Sequence, residues 1–288
     1  LELAWRKHPE NSELARNLAT VYMINQLPDK ALHVASETFQ SNLTNLEIVC
    51  WFVNFALELK KPKQALLALE KAILIQPNVA RLYLTQADIQ LQLGVPEAAH
   101  KAFDQIASMD NASARELSLA ADGLMELKDP QRAIPCLERA LTLSSVQPNQ
   151  PNADTQKGLQ LQLYTKLAEA HTACQEHHAA LEALEEAIAI RPNNPQLEGV
   201  RASLLVELGQ LERAAAWIQA ALDHSPEDPD LNLQAARIQR SLGNLAESHR
   251  FMDKTLAEGP ESQRLDTIIF GAQLAMSMMQ PSSASQIL

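Results

Sequence analysis

Proline recurs at Pro28, Pro62, Pro96 and Pro130, each time after 34 residues, and an alanine follows each one three residues later: Ala31, Ala65, Ala99 and Ala133. Proline has no backbone N–H to give and its φ is already near the helical value, so it is tolerated in the first turn of a helix and costly deeper in. Each proline is therefore expected to open a helix. The small residue one turn later fits a close helix crossing, where a bulky side chain would hold the axes apart. A unit of this length cannot bury its own apolar face, but stacked units can. The period thus predicts an all-α chain, a solenoid of tandem helix-turn-helix units instead of a globule around one centre.

Composition agrees with that class and excludes others. The 288 residues include only 8 Gly, aromatics make up 4%, and no period-two run of β-branched residues stands between turn signals. Lys and Arg number 24 against 35 Asp and Glu, a net charge of −11. A nucleic-acid partner or an anionic membrane surface wants clustered cations, so neither is expected. Cys50, Cys136 and Cys174 are odd in number and far apart, which fits a reducing compartment and no disulfide framework. The most apolar stretch, Leu265 to Met279, is short for a membrane span and carries Asp266, Gln273 and Ser277, so it reads as a packed helix. The first residues, Leu-Glu-Leu-Ala-Trp-Arg-Lys-His-Pro, read as the end of a repeat, and the chain is expected to be an excerpt.

A 34-residue frame with small residues at positions 8, 20 and 27 and proline often at 32 locks onto the sequence repeatedly. Copies begin at Ser12, Leu46, Ala80 and Ala114, the register slips by 13 residues, and further copies begin at Leu161, Pro195 and Pro229. Their marks include Ala19, Tyr22, Ala72, Pro77, Ala87, Leu93-Gly94, Phe103, Ala121, Ala140, Ala180, Ala187, Pro192, Leu208-Gly209 and Leu242-Gly243. In period, small positions, Leu-Gly turn and closing proline, these residues resemble the tetratricopeptide repeat. The resemblance implies a right-handed superhelix whose parts are the end of a preceding repeat (1–11), four repeats (12–145), an insertion with the start of an extended helix (146–160), three repeats (161–262) and a partial eighth (263–288). The insertion, rich in Pro and Asn, predicts an exposed loop near Gln147 to Ala153 and a long helix from about Asp154 into Cys174. Ser248 and Thr255 depart from the small-residue pattern and suggest looser packing there.

The resemblance further implies that the first helix of each repeat lines a concave groove through positions 2, 5, 9, 12 and 13. Position 12 gives a largely apolar stripe, Met23, Leu57, Leu91, Met125, Thr172, Val206, Arg240 and Leu274, with Leu84 and Thr165 at position 5. Position 9 gives Thr20, Asn54, Asp88, Asp122, Glu169, Ser203, Arg237 and Gly271, of which three consecutive members are acidic. Acids beside apolar anchors suit a protein or peptide segment that is basic and amphipathic. Some members of the family clamp a chaperone's C-terminal carboxylate with two asparagines and three cations. The corresponding residues here, Arg16, Thr20, Trp51, Arg81 and Thr85, keep two charges and neither asparagine, and the next register (Cys50, Asn54, Thr85, Arg115, Leu119) does no better. His171, Cys174, His177 and His178 are ligand types that zinc accepts, but the first two occupy inward repeat positions and the others the turn, so no metal or other cofactor is expected.

No nucleophile, base and orienter constellation and no Gly-rich phosphate loop is recognisable, and catalysis by this segment is not expected. The reading favoured is a protein-binding scaffold. A regulatory or substrate-recruiting region of a larger enzyme and a self-assembling structural element remain open beside it, the last leaving room for a homo-oligomer.

Overall fold

A computed structural model describes residues 1–144, 153–257 and 267–274, which form helices and, among these residues, no strand. A short helix α1 (Glu2–Lys7) comes first. Helical hairpins follow: α2 (Ser12–Ile24) with α3 (Pro28–Ser41), α4 (Leu46–Glu58) with α5 (Pro62–Ile75), α6 (Ala80–Gln92) with α7 (Pro96–Ser108), and α8 (Ala114–Glu126) with α9 (Pro130–Leu143). Then come α10 (Ala153–Ala173) with α11 (His177–Ile190), α12 (Pro195–Glu207) with α13 (Leu211–His224), and α14 (Pro229–Ser241) with α15 (Leu245–Ala257). Residues 267–274 are again helical. All four prolines of the 34-residue series open helices.

The chain divides into two compact units, Leu1–Ala140 and Leu141–Leu288. In the first, each helix from α2 to α7 packs on its successor, and α6 also touches α8. In the second, contacts run along α10 to α15, and α12 also touches α14. First helices of neighbouring repeats thus stand side by side, and each unit is an α-solenoid of stacked hairpins.

Local chemistry sets the helix ends. Asn11, Asn45, Ser113, Asn194 and Asp228 cap first helices by accepting backbone N–H groups at their N-termini, and Ser113 completes a capping box with Glu116. The first helices end in one device. The residue at position 15 takes a left-handed conformation in every copy: Gln26, Lys60, Gly94, Lys128, Gln175, Gly209 and Gly243, with φ between 56° and 82°. The next N–H then donates back to the carbonyl five residues earlier, as Leu27 does to Tyr22, Val95 to Gln90 and Gln210 to Leu205. This is a Schellman motif, which satisfies carbonyls that the helix end would otherwise orphan. The residue that follows is N1 of the second helix, where proline is tolerated.

The small residues sit where the helices cross. At position 20, Ala31, Ala65, Ala99, Ala133, Ala180 and Ala214 have no exposed surface. Ser248 and Thr255, expected to loosen the seventh repeat, are just as fully buried. Their hydroxyls explain it. Ser248 Oγ donates to the Ala236 carbonyl across the hairpin at 2.6 Å, and Thr255 Oγ1 donates to Phe251 at 3.1 Å, so neither buries an unmade hydrogen bond. In the first unit the Phe39 and Phe52 rings stack 4.9 Å apart at the centre of the core.

The long helix after the insertion is present: α10 has 21 residues against 13 in α2, α4, α6, α8, α12 and α14. The loop expected near Gln147 to Ala153 lies outside the described residues but for the first residue of α10. Leu265 to Met279 lies only partly within them. No described helix is long and apolar enough to cross a membrane.

Candidate functional site

The twelve candidate groove residues fall on first helices, and none is buried. In the first unit, Met23, Asn54 and Asp88 are exposed and Leu57, Leu84, Leu91, Asp122 and Met125 half-buried. The opposite side of the same helices carries core: Ala19, Val53, Ala87 and Ala121 are covered. One sequence thereby yields an inward and an outward face, the outward one mixing apolar and acidic groups. In the second unit, Glu169 and Arg237 are exposed and Thr165 and Val206 half-buried. Thr165 spends its hydroxyl on the Leu161 carbonyl at 2.8 Å, and the Arg237 guanidinium lies 5.9 Å from the Phe270 ring.

Contacts between neighbouring first helices show which positions meet. Arg16, at position 5, reaches Glu47, at position 2 of the next copy, with N···O at 2.7 Å, and lies over the Trp51 ring. Ser203, at position 9, reaches Gln234 at 3.3 Å. Asp88 is exposed by area, yet its carboxyl is raised above the ordinary range, first by desolvation and second by the charge of Glu126 on α8. Asp88 thus sees solvent, is partly desolvated by the protein around it and feels the charge of a second acid. Glu126 was not among the residues singled out from the sequence; its position 13, one helix along from Asp88, is the signal that marks it.

The carboxylate-clamp set is not assembled. Arg16 is engaged by Glu47, and the Thr20 and Thr85 hydroxyls donate to the Arg16 and Arg81 carbonyls of their own helices. At the histidine cluster, His171 Nδ1 lies 2.7 Å from a Glu176 oxygen. Among the described residues no three His, Cys, Asp or Glu side chains stand close enough to share a metal ion. The sixth repeat departs most from the others: its positions 4 and 7 are Glu198 and Arg201, both nearly buried, with Arg201 stacked 3.7 Å from the Trp217 ring centre.

A period of 34 residues, hairpins stacked in series and a Schellman turn in each copy define a helical-repeat protein built for surface more than for an enclosed site. Residues 161–194 and 205–269 match family models described as the tetratricopeptide repeat, and this part of the chain is built of tetratricopeptide repeats. Solved structures resemble it at low identity. Human IFIT1, solved as a dimer with PPP-AAAA, shares 14% identity at a TM-score of 0.50, with 88% of this chain and 61% of that one covered. PilW, a type IV pilus biogenesis factor, has 20% identity and a TM-score of 0.49 over 77% of this chain and 97% of its own. MamA has 21% and 0.47 over 62% and 90%. At such identity the likeness is one of fold. A search of curated protein sequences finds no significant match.

Proposed function

We propose that the chain is a protein-interaction scaffold and that the outward face of first helices in the first unit receives a basic, amphipathic segment of a partner protein. The observation that carries this reading is that the outward face of these first helices carries both acids and half-buried apolar side chains: Asp88, exposed but with a carboxyl raised by desolvation and by the charge of Glu126, and Leu57, Leu84, Leu91 and Met125. A partly desolvated acid that also feels a second acid's charge leaves electrostatic energy that an incoming Lys or Arg recovers. The apolar floor supplies the anchor that charge alone lacks, since exposed ion pairs contribute little. Asp122 and Met125 extend the same pattern along α8. The exposed Glu169 and Arg237 and the half-buried Thr165 and Val206 are contact residues of the second unit's own face.

The test begins with display selection of peptides on the full chain, followed by binding kinetics of the winners. Basic amphipathic sequences are expected to dominate. Reversing Asp88 and Asp122 to Lys should slow association and flatten its salt dependence, whereas Leu91→Asp should chiefly speed dissociation. Circular dichroism should be unchanged for both, because these side chains are not core. Selected peptides that bind both variants with wild-type kinetics would remove this face from consideration.

A further inference from the structure

We propose that the sixth repeat carries a second binding site, separate from the face above: a pocket between α12 and α13 that takes a primary ammonium group on an aliphatic stem. The pocket has a volume of about 120 Å³ and is lined by Pro195, Glu198, Trp217, Ala220, Ala221 and His224, among others. A water molecule occupies roughly 30 Å³ of liquid, so the space suits about four small groups, an ammonium and the methylenes behind it.

The pocket exists because of a substitution within the repeat. Position 4 holds Ala15, Val49, Tyr83, Leu117, Tyr164 and Asn232 in the other copies; in this one it holds a carboxylate. Glu198 is only 9% exposed, and its Oε2 is covered without a hydrogen-bond partner. The nearest cation does not satisfy it. Arg201 Nη1 is 4.0 Å away, beyond hydrogen-bond reach, while Arg201 Nη2 donates to Glu185 at 3.1 Å and the guanidinium lies against Trp217. A nearly buried carboxylate in this condition is costly unless a donor is supplied.

The other walls select the donor. Trp217 is 37% exposed even with the Arg201 guanidinium over its ring, and with the two alanines it gives a methylene stem an apolar lining. His224 Nδ1 lies 2.9 Å from the Ala220 carbonyl, which can only accept, so Nδ1 carries a proton. The site thus sets a carboxylate against apolar surface, with the polar side chains of Asn193 and Ser225 also in its lining. Burial raises the Glu198 carboxyl, with Arg201 and His224 opposing, and a bound ammonium would add to that opposition. Asp228, Asp230 and Arg191 line a neighbouring hollow that shares Asn193 and Pro195 with the pocket, so its charged lining has one more acid than base. A guanidinium is wider and planar, and a quaternary ammonium has no N–H to give; a lysine side chain or a free alkylamine fits both limits.

The experiment uses the full chain labelled with 5-fluorotryptophan, whose Trp217 signal is assigned by Trp217→Phe. It is titrated with n-butylammonium, with Nα-acetyl-lysine methylamide and with the Nε-acetylated form of the latter. A saturable shift of the Trp217 signal by n-butylammonium, weakened roughly tenfold or more in Glu198→Gln and absent for the Nε-acetylated compound, is expected. A matching response to the lysine derivative assigns the site to a partner's side chain, and a response to the alkylamine alone assigns it to a free amine. Glu198→Gln keeps the side chain's shape, and its fold is checked by circular dichroism; Trp217→Leu provides a second variant that should also weaken binding. No saturable shift in the wild type, or equal binding by Glu198→Gln, overturns the proposal. It stands or falls apart from the first unit's face, because none of its residues belongs to that face.

Discussion

Gly123 lies in the middle of α8, where glycine is the poorest helix former after proline, and replacing it by alanine would in isolation stabilise the helix by about 1 kcal/mol. The packing reverses that sign. A Cβ on Gly123 would meet Phe103 of α7 at 2.1 Å (Cζ), 2.6 Å (Cε2) and 2.8 Å (Cε1), and ordinary contact begins at 3.4 Å, so the ring would have to retreat by 3.4 − 2.1 = 1.3 Å. Phe103 is 1% exposed and has no free volume to retreat into. Overpacking of this kind costs about 2–3 kcal/mol, which leaves Gly123→Ala destabilised by about 1–2 kcal/mol after the propensity gain. Gly158, in α10, is the matched control: a Cβ there meets nothing within 4 Å, so Gly158→Ala should stabilise by about 0.5–1 kcal/mol. Urea unfolding of the full chain, followed at 222 nm, reads both as shifts of the midpoint in opposite directions. Phe103→Leu removes all three clashing atoms, so the double variant Phe103→Leu, Gly123→Ala should be more stable than the sum of the single effects by about 2–3 kcal/mol. If Gly123→Ala stabilised the protein as much as Gly158→Ala does, the claim that α7 and α8 are locked by this contact would be refuted.

Other substitutions probe the remaining links. Lys60 and Lys128 hold left-handed turns that glycine adopts freely, so changing either to Gly should stabilise by up to about 1 kcal/mol, and Gly94→Ala should destabilise by a similar amount, all three read by urea midpoint. Ala65→Leu and Ala133→Leu, at crossings with no exposed surface, should each cost about 1–3 kcal/mol, and a neutral result for both would show that the crossings lie elsewhere. Asp88 ionises less readily folded than unfolded, so wild-type stability should fall as pH rises above the ordinary Asp value of 3.8, and Asp88→Asn should be the more stable protein at neutral pH. That advantage should vanish on the acid side of 3.8, and an advantage that persists there would mean that the gain comes from packing and not from charge.

How much of this was legible in the sequence depends on whether a residue's role repeats. Pro28, Ala31 and their counterparts recur at a fixed spacing because every copy solves the same local problem, a helix start beside a tight crossing, so counting finds them. Position 15 was half legible. Gly94, Gly209 and Gly243 announce the left-handed turn, whereas Gln26, Lys60, Lys128 and Gln175 adopt it with no side-chain signature, because the Schellman hydrogen bonds and the packed hairpin impose a conformation those residues would not choose. Ser248 misled for a related reason. A hydroxyl in an alanine position reads as a looser fit until the Ala236 carbonyl is seen to receive it. Single-copy features were not legible in advance: the Phe103 ring over Gly123, the Glu126 charge felt by Asp88 and the Glu198 pocket each depend on two helices brought together, and none recurs. For a repeat protein this has a physical consequence. What the copies share makes the stack, and what one copy alone possesses is free to vary without breaking it. Glu198 illustrates the second class. A carboxylate in a position that other copies fill with Ala, Val, Leu, Tyr or Asn carries a desolvation cost there, which the proposed ammonium ligand would offset.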